Sequence, residues 1–222
     1  MGSTFTPQPD DAGPRQAIVQ ASRKLHELGL NRGSSGNIGV RHGGVLLLTP
    51  SGVVPDDMLP RSIVGIDFAG RVQGSGKPTS EWRIHRDIMI ARPEVGAVVH
   101  THSPHATALA CLGLEIPAFH YMVAVGGGDS IRCAPYALFG SQALSDHCVR
   151  ELRGRSACLL GNHGMVAVGQ DLAGALATAV EVEALCQQYW MASQLGPPRV
   201  LSSAQMIAVH KKFKSYGSWS KD

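Results

Sequence analysis

The stretch Val95-Gly96-Ala97-Val98-Val99-His100-Thr101-His102 carries the decisive pattern of this chain. Its apolar run is short and β-branched, and Pro93 and Pro104 bound it, so the pattern predicts a strand. Side chains alternate faces along a strand, which puts residues i and i+2 on one side. His100 and His102 then project together at the strand's end. Two imidazoles so placed can grip one metal ion. A third supplied from elsewhere gives the three-histidine pattern that leaves a coordination position open, as a metal needs in order to polarise a substrate oxygen.

His163, in Gly161-Asn162-His163-Gly164, is the candidate third ligand. It falls in a glycine-flanked break between two apolar runs, 157–160 and 165–168, which reads as a tight turn between strands. Function often sits on such turns. Among the other histidines, His26, His42, His85, His147 and His210 fall in polar or helical surroundings and are read as ordinary. His105 and His120 lie near the candidate site.

Outward from this centre, helices and strands alternate. Helical spacing covers 16–28, 103–112, 141–152, 172–195 and 204–213, with Ser141 and Asp171 as caps. Another helix opens from Lys77-Pro78-Thr79-Ser80-Glu81 and runs to about residue 91, with Thr79 or Ser80 as its N-cap. Strands are expected over 38–41, 45–48, 63–67 and 71–73. The fold class is α/β, with helices covering a sheet that contains several antiparallel turns.

Composition narrows the function. A chain of 222 residues suits one domain with a sizeable core. Its net charge of +3 is small and scattered, without a basic run, which argues against nucleic acid. No uninterrupted apolar stretch reaches the roughly 18 residues of a membrane span. The five cysteines are an odd number without a CxxC pair, so reduced thiols and a cytoplasmic location are expected. Residues 1–14 lack the basic-then-apolar order of a signal peptide, and their Pro, Asp, Gly and Thr content predicts a disordered tail.

Three short segments suit an anion: Gly36-Asn37, Ser51-Gly52 and Thr79-Ser80. The last sits at a helix N-terminus, where free N–H groups and the helix dipole favour phosphate. Glu81 follows directly. An acid in a helix's first turn commonly serves the dipole, but beside a divalent metal it can shuttle a proton.

The order of motifs carries a resemblance. Gly36-Asn37-Ile38, Thr49-Pro50-Ser51-Gly52, Lys77-Pro78-Thr79-Ser80-Glu81, His100-Thr101-His102, Ile116-Pro117-Ala118-Phe119-His120-Tyr121, Ala134-Pro135-Tyr136, Phe139-Gly140, Asn162-His163-Gly164 and the tail Lys212-Phe213-Lys214-Ser215-Tyr216-Gly217 recur in sequence. Over about residues 15–217 the chain resembles the class II aldolase/adducin family. The resemblance implies an αβα sandwich around a central, mostly antiparallel sheet, and a four-fold symmetric homotetramer. It leaves residues 218–222 as a flexible C-terminal tail. It implies that His100, His102 and His163 bind Zn2+, or another divalent transition metal, and that Glu81 is the catalytic acid/base. Gly36, Asn37, Ser51, Gly52, Thr79 and Ser80 would hold a substrate phosphate. Tyr121 would reach a neighbouring subunit's site as a second catalytic group, and Phe139 and Tyr216 would shape the aldehyde end. Ser51 stands where a threonine can occur and Thr79 where a serine can, and both keep the hydroxyl.

The activity so implied is reversible cleavage of a ketose 1-phosphate into dihydroxyacetone phosphate and an aldehyde. The substrate would be L-fuculose 1-phosphate, or a 5-deoxy or 5-methylthio pentulose 1-phosphate. Two alternatives stay open on the resemblance. One is another metal-dependent sugar-phosphate enzyme of the same fold: a 4-epimerase, a decarboxylase or a dehydratase. The epimerase-like pattern has Asp where this chain has Glu81. The other is a non-catalytic adducin-like module, for which eroded metal ligands would be expected.

Overall fold

The computed structural model describes residues 11–214. The first helix, α1, spans Ala12–Glu27. It begins before the predicted start and takes in Ala12, Gly13 and Pro14, which the composition had assigned to a disordered tail. The helix admits Pro14 because N–H groups in the first turn have no intrahelical partner to lose. Asp11 anchors this start, its carboxylate lying 3.4 Å from Arg15 and 3.0 Å from His42.

Strands β1 (Asn37–His42) and β2 (Val45–Leu48) form a hairpin around Gly43-Gly44. β3 (Val64–Asp67) and the short β4 (Val72–Gln73) extend it. Helix α2 (Trp82–Ala91) leads to β5 (Ala97–Thr101), the predicted histidine strand. Helix α3 (Pro104–Cys111) follows, then two-residue strands β6 (Ile116–Pro117), β7 (Ser130–Ile131) and β8 (Cys133–Ala134). Helix α4 (Gln142–Glu151), β9 (Ala157–Leu160), β10 (Gly164–Gly169), α5 (Leu172–Leu195) and α6 (Ser203–Phe213) complete the described chain. Ser141 and Asp171 cap α4 and α5 as expected, accepting from the N–H groups of Leu144 and Gly174.

Eight strands form one sheet in the order β4-β3-β2-β1-β5-β10-β9-β8. Every neighbouring pair is antiparallel except β8–β9. The strand period sorts its side chains onto two faces. Ala97 and Val99 of β5 join Ile18 and Leu25 of α1, Leu109 of α3 and Val182 of α5 in one apolar core. Val98, between them, joins Ile84 and Ile88 of α2 and Leu144 and Cys148 of α4 in the other. The result is the expected αβα sandwich. Each large side chain so buried contributes roughly 1.5–3 kcal/mol, and β5 sits in the middle of that support. All five cysteines are free thiols. No helix among the described residues is long and apolar enough to cross a membrane.

Candidate active site

β5 ends at the site. Register places Asn37 of β1 opposite His100, and Val166 of β10 opposite it on the other side. His100 shares Val98's face, the α2 side of the sheet. It is fully buried, and its Nδ1–H donates to the Met165 carbonyl at 2.9 Å. That bond engages Nδ1 and turns Nε2 toward Glu81 and His102. His102 is held differently: its backbone N–H donates to Asn31 Oδ1 at 3.0 Å.

His163 arrives on the predicted turn between β9 and β10. Asn162 before it has φ 54°, the one non-glycine residue in the left-handed region among the described residues. Asparagine tolerates that conformation better than other side chains. Gly164 after it packs so tightly that an added Cβ would lie 2.3 Å from the Thr101 carbonyl oxygen. The turn is thereby pressed against the end of β5. The three imidazoles form a nearly equilateral triangle, with ring centroids 4.8–4.9 Å apart.

Glu81 closes this triangle. Its Oε2 lies 3.1 Å from His100 Nε2, and its Oε1 lies 3.4 Å from His163 Nε2. One potential ligand atom from each of these four residues falls within 4.8 Å of the others. Burial raises the Glu81 carboxyl, but His100, His163 and the Asn37 amide outweigh it and hold the group well below the usual carboxylate range. Burial lowers the His100 imidazole, yet Glu81 and the Met165 carbonyl carry it above its ordinary value. His102 and His163 are pushed down to about 4 by burial and by charge on His100. The cluster thus attracts one positive charge to a buried carboxylate while keeping two imidazoles neutral.

This donor set fits a divalent metal ion. Glu81 is 5% exposed and its Oε1 has no hydrogen-bond partner, an orphaned anionic atom surrounded by imidazole nitrogens. A cation on the three Nε2 atoms would satisfy it. Sulfur ligands are absent from the cluster, which suits zinc and the other imidazole-binding divalent metals.

A cleft of about 170 Å³ opens beside the triangle. It is lined by Gly36, Asn37, Ser51, Gly52, Thr79, Ser80, Glu81, His102, Phe139 and His163, with Ser34, Ser35 and Pro50. All six residues expected at a phosphate are therefore together. Two backbone bonds tie their loops, from Ser51 N–H to the Lys77 carbonyl and from Thr79 N–H to the Thr49 carbonyl. No Lys or Arg is among the lining residues. An anion there would meet hydroxyls, N–H groups and the positive end of α2.

Some expectations need correction. Neither Thr79 nor Ser80 occupies the N-cap of α2; Glu81 does, and Thr79 Oγ1 accepts from the Glu81 N–H at 3.3 Å. Thr79 is tied across the site instead, its N–H donating to the Thr49 carbonyl. His85 is not an ordinary helical histidine: it is fully buried and bonded to Asn37. Tyr121, expected at a neighbouring subunit's site, is not among the residues lining the cleft of its own chain, and this overturns nothing. It is half-exposed, on a 3-10 turn, and borders a separate hollow with Met122, Val125 and Phe213. Tyr216 lies outside the described residues. Asn31, Ser34, Ser35 and His85 went unrecognised in the sequence. For His85 a signal existed, since it stands four residues from Glu81 on one helix face.

Three imidazoles and a carboxylate around one point, beside a polar cleft at a helix start, make a candidate metal site. The family model for the Class II Aldolase and Adducin N-terminal domain matches residues 16–190. The chain belongs to this family and is a class II aldolase, a lyase. It is 52% identical over 203 residues to the 5-methylthioribulose-1-phosphate/5-deoxyribulose-1-phosphate aldolase of Rhodospirillum rubrum, covering 91% of this chain and 92% of that one. It is 42% identical over 201 residues to the L-fuculose phosphate aldolase of Escherichia coli K12, covering 90% and 94%. A solved L-fuculose 1-phosphate aldolase superposes with a TM-score of 0.89 at 35% identity, over 96% of this chain and all of that one.

Proposed function

We propose that the protein is a zinc-dependent cytoplasmic aldolase that cleaves a ketose 1-phosphate reversibly into dihydroxyacetone phosphate and an aldehyde. The observation that carries this reading is the Glu81–His100–His102–His163 cluster opening onto the polar cleft at the start of α2. The higher identity to the R. rubrum relative, 52% against 42% for the E. coli L-fuculose phosphate aldolase, supports 5-methylthioribulose or 5-deoxyribulose 1-phosphate as the substrate of this chain over L-fuculose 1-phosphate. The intact ligand set speaks against a non-catalytic module.

His100, His102 and His163 would hold the metal, which when bound supplies charge stabilisation for the carbanion-like fragment left by C3–C4 cleavage. The protein's residues do the rest. Gly36, Asn37, Ser51, Gly52, Thr79 and Ser80 would fix the phosphate, so the reacting carbons arrive at a set distance from Glu81. Against the imidazoles, Glu81 stays ionised. Moved off them by an entering substrate, it is left with burial, which raises its proton affinity, so it can take up a proton from solvent and pass it to C3. Tyr121 would take the C4 hydroxyl proton from the neighbouring subunit of a homotetramer, and Phe139 and Tyr216 would cover the aldehyde end.

The direct test measures dihydroxyacetone phosphate released from a panel of ketose 1-phosphates. Release from 5-deoxyribulose 1-phosphate exceeding that from L-fuculose 1-phosphate is expected. No release from any ketose 1-phosphate would refute the reading.

The shared site has its own test. Tyr121→Phe and Glu81→Gln chains are each expected to be nearly inactive alone. After subunit exchange, mixed oligomers should regain a measurable fraction of activity, because some sites combine an intact Glu81 with an intact Tyr121. Absence of recovery in oligomers proven to be mixed would mean that one chain builds a whole site.

A further inference from the structure

Glu81 has one directed hydrogen-bond donor outside the imidazole triangle, the Asn37 side-chain amide, whose Nδ2–H reaches Oε2 at 2.9 Å. The other end of that amide is also taken. Asn37 Oδ1 accepts from His85 Nε2 in a short bond. The two contacts settle each other's polarity. An amide turned the other way would set its oxygen against the Glu81 carboxylate, acceptor against acceptor. With the oxygen facing His85, Nε2 must carry the ring's proton. His85 Nδ1 then has none, and it has no hydrogen-bond partner.

The packing is built to hold that ring. His85 is fully buried, one turn along α2 from Glu81. Asn37 and Gly39 lie two apart on β1, hence on the same face of the sheet. Gly39 makes room: an added Cβ would sit 2.6 Å from His85 Nδ1. Burial and the charge on His100 push the imidazole down to about 3, so the ring stays neutral in the working range. The ring does not reach the cleft, and its one polar contact is with Asn37.

We propose that His85 is a positioning residue for Glu81: its Nε2–H locks the Asn37 amide in the one orientation that directs Nδ2–H to the carboxylate. Without it the amide can turn over, and Glu81 loses the donor that orients it when it leaves the imidazoles. This inference rests on Glu81 being the acid–base group, and goes beyond it by naming what aims that group.

The test compares His85→Met, which removes the donor, with His85→Gln, whose amide nitrogen can stand in for Nε2. For His85→Met, kcat on 5-deoxyribulose 1-phosphate should fall about 10-fold or more, with KM altered less than about 3-fold. His85→Gln should recover most of that loss, and both should carry as much metal as the unmutated protein. A folded His85→Met with unchanged kcat, a change confined to KM, or a glutamine variant no better than methionine would each overturn the proposal. A second measurement needs no mutation. Histidine-selective nitrogen NMR of the unmutated protein, with and without metal, should show His85 protonated at Nε2 and bare at Nδ1 near neutral pH. The opposite tautomer or a doubly protonated ring would overturn it as well. If Glu81→Gln proved fully active, the reading of Glu81 would fail; if Glu81→Gln were inactive and His85→Met were not, only the present inference would.

Discussion

Glu81→Gln is expected to lower kcat by about 10²-fold or more, the range of general acid–base contributions. Glutamine keeps the shape and can still accept the Asn37 bond, but it cannot hold and release a proton. Nothing else in the cluster can substitute: His102 and His163 are pushed down to about 4, and both nitrogens of His100 are already engaged. The fold should be little affected, because Glu81 caps α2 without a side-chain hydrogen bond to the helix. Steady-state kinetics together with thermal unfolding separates the alternatives. A loss of activity matched by a loss of stability would make Glu81 a structural residue.

His102→Ala is expected to cost more than the roughly 10–100-fold in metal affinity that removing an outer partner of a ligand costs. His102 is the cleanest of the three to remove. Its backbone N–H, not its ring, makes the bond to Asn31, so alanine keeps that anchor. His100 is entangled with the Met165 carbonyl inside the sheet, and changing it would disturb β5 and β10 together. Metal analysis after dialysis should find stoichiometry well below that of the unmutated protein, with activity falling in parallel. Full retention of metal would remove His102 from the ligand set.

The reach of the sequence differed between elements for physical reasons. β5, the turn at His163 and helices α3 to α6 were legible because each has a sharp local signal: a bounded β-branched run, a glycine-flanked break, or a cap before helical spacing. The start of α1 was not, because Gly13 and Pro14 argue against a helix by propensity while Asp11 is anchored by residues distant along the chain, such as His42. The histidine triangle could be inferred from spacing. Its outer partners could not. Asn31 and His85 act across the fold, on His102 and Asn37, and although the spacing of His85 from Glu81 put both on one helix face, the contact with Asn37 on β1 leaves no mark in a local window. Tyr121 shows the opposite limit, since a group proposed to work in another copy of the chain looks idle in its own.

The beginning of α2 has one more consequence. Thr79, Ser80 and Glu81 are consecutive, so residues proposed to grasp the phosphate and the residue proposed to move the proton share one short segment leading into α2. On that proposal the segment would be a gauge, measuring a substrate from its phosphate to the breaking bond and reading nothing beyond it. On the same reading, what lies past the bond would meet the turn bearing Phe139, which is 63% exposed and whose next residue, Gly140, accepts from Arg83 of α2. Diversification of the aldehyde can therefore proceed by rewriting a surface loop while the chemistry stays untouched. Two relatives similar to this chain carry the names of different sugar phosphates, as such a division of labour would allow.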